Sequence, residues 1–301
     1  MVRIELNIAL SYEVDAPGAD FLFNVHAAHT PRQQVGAESL WLDPPLPFAM
    51  HTHPLTGNRC MRLRAPAGSL RLDYRATVDL DHYIEDPSRI PEVAVEALPP
   101  EVIDYLYPSR YCQSDRLLNL AASEFGHLNR GYMRVLAIRD WVRRQVVFTP
   151  NTSTSNTSAI DTLVARMGVC RDFAHLMIAL CRASNVPARF ATGTDFGADP
   201  ALGPPDFHAY VEAFLGGRWY IFDPSGLAIP MGLVRIGTGR DAADVAFATI
   251  FGSIRSLAPF IQATAVSAPE QNLFPPTHRA EALSTDDDIY RPPAAPGVSG
   301  R

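Results

Sequence analysis

Cysteine is scarce in this chain: 301 residues carry four, at positions 60, 112, 170 and 181. That is too few and too scattered for a disulfide framework in a chain of this length. No C-x₂₋₄-C pair is present, so the spacing of a structural zinc site is missing. If Cys170 and Cys181 share a helix, they share a face but stand roughly 16 Å apart along it, too far for a common metal or a disulfide. No run of about 20 apolar residues occurs, which a membrane-spanning helix would need. The opening segment, Met1 to Ile8, alternates like a strand and lacks the unbroken apolar stretch of a secretion signal. A cytoplasmic location with reduced thiols is therefore expected. Net charge is −6 with no long basic run, which argues against nucleic acid or a membrane surface as partner.

What is present is ordinary globular composition, 47% hydrophobic and 19% charged. The length sets an expectation of two domains at roughly 100–200 residues each. Residues 1–100 read as β-rich. Ile4, Leu6, Ile8 and Leu10 alternate with polar or small residues, as do Leu70, Leu72 and Tyr74. Turn signals such as Pro17-Gly18, Pro44-Pro45 and Thr56-Gly57-Asn58 separate the apolar segments, a spacing that predicts an antiparallel sandwich or barrel. Pro99-Pro100 marks a boundary. Helical spacing takes over near residue 114, with Ser114 or Asp115 as cap, and a second helix spans about 133–144 with Leu136, Ile138, Trp141 and Val142 apolar. The Asn-, Ser- and Thr-rich stretch 151–158 reads as a loop, a short helix follows over about 161–166, and a further helix begins at Cys170.

The segment from Gly168 to Leu176 is the most informative. Phe173, Met177, Leu180 and Cys181 form an apolar stripe at helical spacing, and Cys170 continues it to the N-terminal end. There, unpaired backbone N–H groups and the positive end of the helix dipole favour a thiolate. The same N–H groups suit a tetrahedral oxyanion. A small core cysteine is the plainer reading of Cys170 alone. The stretch Phe207 to Phe214 alternates as a strand, Gly216-Gly217 is a two-residue hairpin signal, and Arg218 to Asp223 is the returning strand. With those glycines as the loop, Leu215 faces Arg218 and Tyr210 faces Asp223. His208 and Asp223 then lie diagonally on one face, within hydrogen-bond reach; a slip of one residue would separate them. A satisfied core histidine and a turn-forming aspartate before Pro224 are the plain readings of each residue singly. Together with Cys170 they are the parts of a thiol enzyme: nucleophile, proton carrier and orienting carboxylate.

These segments resemble the transglutaminase-like superfamily, and within it the bacterial transglutaminase-like cysteine protease branch. The resemblance rests on Pro108 to Asp115, Gly168 to Phe173, Val186 to Arg189, Asp206 to Ala209 and Gly239 to Asp244. It covers residues from about 105 to 267. It implies an α+β chain with a papain-like/transglutaminase-like core, preceded by an antiparallel β-sandwich domain. The implied division is a β-rich N-terminal domain over 1–104 and a catalytic domain over 105–267; the Pro-, Ala-, Ser- and acid-rich composition beyond reads as a disordered tail over 268–301. The resemblance also implies a covalent thioester intermediate and no cofactor, with Cys170 as nucleophile, His208 as base and Asp223 as orienting acid. Tyr210 stands where many members have tryptophan, and Ser225 where many have threonine.

Other residues take lesser roles. Asp172 and His175 flank the nucleophile and read as cap and packing residues that can also tune it. Trp141 and the polar loop 151–156 are both candidates for a second oxyanion donor. Arg189 and Arg240 are expected to pair with Asp172, Asp241 or Asp244, and Cys112 is structural. His26, His29, His51 and His53 could suggest a metal site, but His51-Thr52-His53 lies among prolines with no nearby acidic partner, so none is expected. The expectation is a hydrolase or acyltransferase acting on a peptide or protein amide, with hydrolysis favoured because water is the default acceptor. A non-catalytic binding module on the same fold is the alternative; oligomeric state is not legible.

Overall fold

A computed structural model describes residues 1–194 and 196–288. The N-terminal strands are β1 (Val2–Val14), β2 (Ala19–Phe23), β3 (Gln33–Asp43), β4 (Phe48–Thr52), β5 (Arg59–Ala65), β6 (Gly68–Leu80) and β7 (Tyr83–Glu85). Helices α1 (Pro100–Ile103), α2 (Leu118–Phe125) and α3 (Tyr132–Gln145) follow, then β8 (Val147–Phe148), α4 (Ala159–Ala165), β9 (Met167–Gly168) and α5 (Cys170–Ala183). The remaining strands are β10 (Ala188–Thr194), β11 (Phe207–Leu215), β12 (Arg218–Phe222), β13 (Gly237–Gly239), β14 (Ala248–Phe251), β15 (Ile254–Ser256), β16 (Phe260–Val266) and β17 (Ala282–Ser284).

Alternation in β1 and β6 sends Ile4, Ile8 and Tyr74 to one side, where they meet Phe21, Phe23 and Met61 of the facing sheet. One sheet runs β15-β1-β6-β3 with β16 also on β1, and the other runs β14-β2-β5-β4, all antiparallel. This is the sandwich expected from the alternation. Its membership differs from the expected boundary at 105–267. Strands β14, β15 and β16 return from beyond the core and complete both sheets, β16 pairing with β1 from Arg3↔Val266 to Ala9↔Phe260. The physical reason is the open edge: without β15 and β16, one side of β1 would present a row of unpaired backbone groups.

The core is a third antiparallel sheet of order β12-β11-β10-β13 against which α5 packs. Ala209, Val211 and Ala213 of β11 face the helix, where Phe173, Leu176, Met177 and Leu180 are fully buried or nearly so. On the other face Tyr210 and Ile221 pack with Ala228 and Leu233. The hairpin register runs from Val211↔Phe222 to Leu215↔Arg218, the register set by two central glycines.

The tail expected over 268–301 is also corrected. Residues 282–284 form β17 on β7. Beyond them Asp286 accepts from Arg189 at 2.5 Å and from Arg235 at 2.8 Å, while both arginines also pair with Glu212 of β11. An acidic, proline-bearing composition resembles disorder, yet one carboxylate with two buried guanidiniums to neutralise anchors the segment. Residues 289–301 lie outside the described residues. Arg189 therefore pairs with Glu212 and Asp286, not with the acids expected from sequence. Asp286→Ala leaves buried positive charge uncompensated, and urea unfolding should register a loss of about 3–5 kcal/mol. A change below about 0.5 kcal/mol would contradict an anchoring role.

Candidate active site

Helix α5 starts at Cys170 because Asp172 turns its carboxylate back on the preceding turn. Asp172 Oδ2 accepts the Val169 N–H at 2.9 Å, and the Asp172 N–H donates to the Val169 carbonyl at 2.8 Å. Asp172 is fully buried, and its second oxygen accepts from Ser153 Oγ at 2.8 Å. Gly168 makes this fold-back possible: a Cβ there would stand 2.7 Å from the Asp172 Cβ. Cys170 is half-buried at the first helical position, where backbone N–H groups have no intrahelical acceptor.

The polar loop 151–158 is strapped against this helix start. Arg171 donates to Ser153 Oγ at 3.1 Å and to the Thr157 carbonyl at 3.3 Å. Tyr111 donates its hydroxyl to the Ser155 carbonyl at 2.7 Å and stacks on His175 with ring centroids 5.0 Å apart. His175 accepts the Ala242 N–H, and burial first, then Arg171 and Arg182, hold it well below the usual imidazole range. It is a neutral packing group. Burial likewise pushes the Cys112 and Cys181 thiols up to about 12, which makes them inert beside Cys170.

His208 and Asp223 are both buried, with His208 Nε2 3.2 Å from Asp223 Oδ2. The N–H approach is too oblique to count as a formed hydrogen bond, since Nε2 has no partner of good geometry. The charge interaction depends on distance and persists. Burial alone would lower the His208 pKa, but the Asp223 carboxylate outweighs it and raises the imidazole well above 6.5, with Cys170 within hydrogen-bonding reach on the same ring. Burial would raise Asp223, yet the His208 charge, aided by Ser225 and Ala228, holds it down to about 2. Asp223 Oδ1 accepts from Ser225 N at 3.0 Å and Ser225 Oγ at 2.6 Å, and Oδ2 accepts from Ala228 N at 3.1 Å. Asp223 is thus a turn former as well as the imidazole's partner. Ala228 escaped the reading of the sequence, which named Ser225 only as standing where many family members have threonine; an Asp-Pro-Ser turn, whose side chains bond their own backbone, is the signal for the Ser225 contact.

The supporting residues divide. Asp172 belongs to the helix start. Tyr210 shares a face with His208 but is fully buried and packs in a cluster with Ala191, Ile221, Ala228 and Leu233. Trp141 is corrected: its indole N–H donates to Glu124 at 3.1 Å, so it is not held ready for an oxyanion. Arg240 pairs with Asp244 at 3.0 Å on the surface. His53 uses Nδ1 to accept the Leu55 and Thr56 N–H groups of its own turn. Among the described residues no cluster of His, Cys, Asp or Glu has the geometry to hold a metal ion.

Residues 120–224 match the model of the transglutaminase-like superfamily core, and residues 2–101 match that of the bacterial transglutaminase N-terminal domain. A solved structure of a candidate cysteine protease from Cytophaga hutchinsonii is 40% identical, covers 94% of this chain and 97% of its own, and superposes with a TM-score of 0.87. This chain belongs to the transglutaminase-like superfamily. An uncharacterised protein of Mycobacterium leprae (strain TN) is 28% identical over 193 residues, 61% of this chain and 68% of the relative. Another from Mycobacterium tuberculosis (strain ATCC 25618 / H37Rv) is 33% identical over 125 residues, 37% of this chain and 40% of the relative. Within the superfamily, the core match contains Cys170, His208 and Asp223, and the N-terminal match the strands β1 to β7.

The His208–Asp223 pair links stability to pH. A raised imidazole contributes stability that is complete below 6.5 and lost as pH rises through the folded value. A depressed carboxyl contributes stability present above 3.8 and lost as pH falls toward about 2. The difference in unfolding free energy between wild type and His208→Gln should therefore be greatest between about pH 4 and 6.5 and shrink on both sides. A difference independent of pH would contradict the pairing.

Proposed function

We propose that the chain is a cysteine-nucleophile enzyme acting on peptide or protein amides through a thioester, with Cys170, His208 and Asp223 as its catalytic triad. The observation that carries this reading is the convergence of a half-exposed thiol at a helix start, an imidazole in its reach and a buried carboxylate 3.2 Å from that imidazole. His208 holds the thiol proton as imidazolium, supported by Asp223, while the Cys170 sulfur attacks the amide carbonyl. The oxyanion forms beside the Cys170 N–H, with the loop 151–156 as the source of a second donor. Collapse breaks the C–N bond, and His208 passes its proton to the departing amine. Water, deprotonated by His208, then attacks the thioester and releases the acid and the thiol.

Hydrolysis is favoured over transfer to an amine, since water reaches any site that does not exclude it. No cofactor takes part in this scheme. A reducing compartment such as the cytoplasm keeps the thiol competent and is the proposed location.

Intact-mass analysis after mixing with activated acyl esters and glutamine- or peptide-amide substrates tests the reading. Wild type should show an acyl adduct mapped to Cys170, and Cys170→Ala should show none and lose turnover by about 10³-fold or more. Partitioning between water and an added primary amine then reports hydrolysis against transfer. An adduct at another cysteine, or full turnover without Cys170, would overturn the triad and leave the binding-module reading.

A further inference from the structure

Helix α3 ends at the edge of the core sheet where the candidate triad lies. Near its start, Tyr132 packs its ring on Tyr220 and Phe222 of β12. Near its end, the Arg143 guanidinium packs against Gly226, in the turn that follows β12. The helix thus runs the way β12 runs, toward Asp223. Directly after it, β8 pairs with β9, and β9 ends two residues before Cys170. Arg143 therefore stands between the element that carries the carboxylate and the one that carries the thiol.

Gly226 lets the guanidinium sit there. A Cβ at that position would stand 2.5 Å from Arg143 Cζ and 2.8 Å from each terminal nitrogen. Gly226 follows Asp223 by three residues, a span of at most about 11 Å. A guanidinium is a multiple N–H donor with no acceptor of its own. Yet Arg143 is exposed and makes no hydrogen bond or ion pair among the described residues. Its neighbours are engaged differently. Arg139, one turn earlier, pairs with Asp140 at 2.6 Å. Arg171, beside the nucleophile, donates to the loop 151–158 and lies 3.7 Å from Asp172.

A planar guanidinium with its N–H edge free suits a carboxylate, which it meets with two parallel hydrogen bonds. An extended peptide rises ~3.3 Å per residue. A group about 10 Å from the reacting carbonyl thus belongs to a residue two or three positions away. We infer that Arg143 selects substrates by a carboxylate carried within about three residues of the amide that Cys170 attacks. That carboxylate is an acidic side chain or the terminal carboxylate of the peptide. The inference rests on the thiol-enzyme reading above and adds the chemical class of peptide that it takes.

Alkylation of Cys170 by iodoacetyl peptides, followed by intact mass, tests this on the full chain. Three probes are compared, each with no, one or two glycine spacers. A glutamate amide carries only a side-chain carboxylate, a glutamine acid only a terminal one, and a glutamine amide neither. At one spacer length or more, a carboxylate probe should alkylate wild type about threefold or more faster than its neutral match. Raised salt should erase most of that advantage. His208 attracts anions too, but it is present in every variant, so the change on mutating Arg143 isolates the guanidinium. Arg143→Gln should lose the advantage and keep the neutral-probe rate, which shows that the fold and the thiol are intact. Arg143→Lys should keep part of it, since the charge stays and the fork is lost. Arg144→Gln, which removes the adjacent charge without touching the Gly226 contact, should keep most of it. The faster of the two carboxylate probes identifies the source. A Cys170 inert to every probe would defeat the thiol-enzyme reading, and the inference with it. A reactive Cys170 with no carboxylate advantage at any spacer length, or equal losses from Arg143→Gln and Arg144→Gln, would overturn the role of Arg143 and leave that reading standing.

Discussion

The register between β11 and β12 is the constraint on which the candidate site depends. Gly216 and Gly217 both sit at positive φ, 57° and 98°, the backbone that a tight two-residue hairpin turn requires and that glycine adopts at no steric cost. That turn places Leu215 opposite Arg218 and carries Val211 to Phe222. Extended past the end of β12, it brings Asp223 to the face that carries His208. A slip of one residue would turn His208 and Tyr210 toward α5 and break the helix contacts of Ala209 and Val211. The apolar packing of one face therefore enforces the polar pairing on the other.

The helix start supplies the third group by a separate device. Asp172 caps α5 with one carboxylate oxygen and holds Ser153 with the other. The same residue that fixes where the helix begins thus fixes the loop across from Cys170. Arg171 and Tyr111 repeat the connection. At the far end of the hairpin, buried charge is handled differently. Glu212 and Asp286 neutralise Arg189 and Arg235, so the last described segment of the chain braces the strand that bears His208. Buried ion pairs contribute little net stability, but they penalise any arrangement that leaves a member unpaired, and here they lock the end of the chain onto the core.

What was legible in the sequence was what local pattern encodes. The alternation of β1 and β6, the apolar stripe of α5, the helix beginning at Cys170 and the Gly-Gly hairpin all depend on neighbours a few residues away. From those alone the juxtaposition of His208 with Asp223 followed. What was not legible depends on distant partners. The return of β14, β15 and β16 to the N-terminal sheets joins residues more than 200 positions apart, and no local pattern in Phe260 to Val266 names β1 as its mate. Asp286 sits in a stretch whose composition resembles a tail, and its arginine partners are nearly 100 and 51 positions away. Trp141 was a reasonable donor by residue type, but Glu124 on the neighbouring helix already accepts its N–H.

The central claim is that Cys170 and His208 act as a coupled pair. The pH dependence of iodoacetamide alkylation at Cys170, followed in wild type and in His208→Ala, tests it most directly. The account predicts rapid alkylation of wild-type Cys170 well below pH 8, slowed by about tenfold or more in His208→Ala, with Cys112 and Cys181 unreactive in both. A Cys170 that is unreactive, or that alkylates identically in the two proteins, would contradict it.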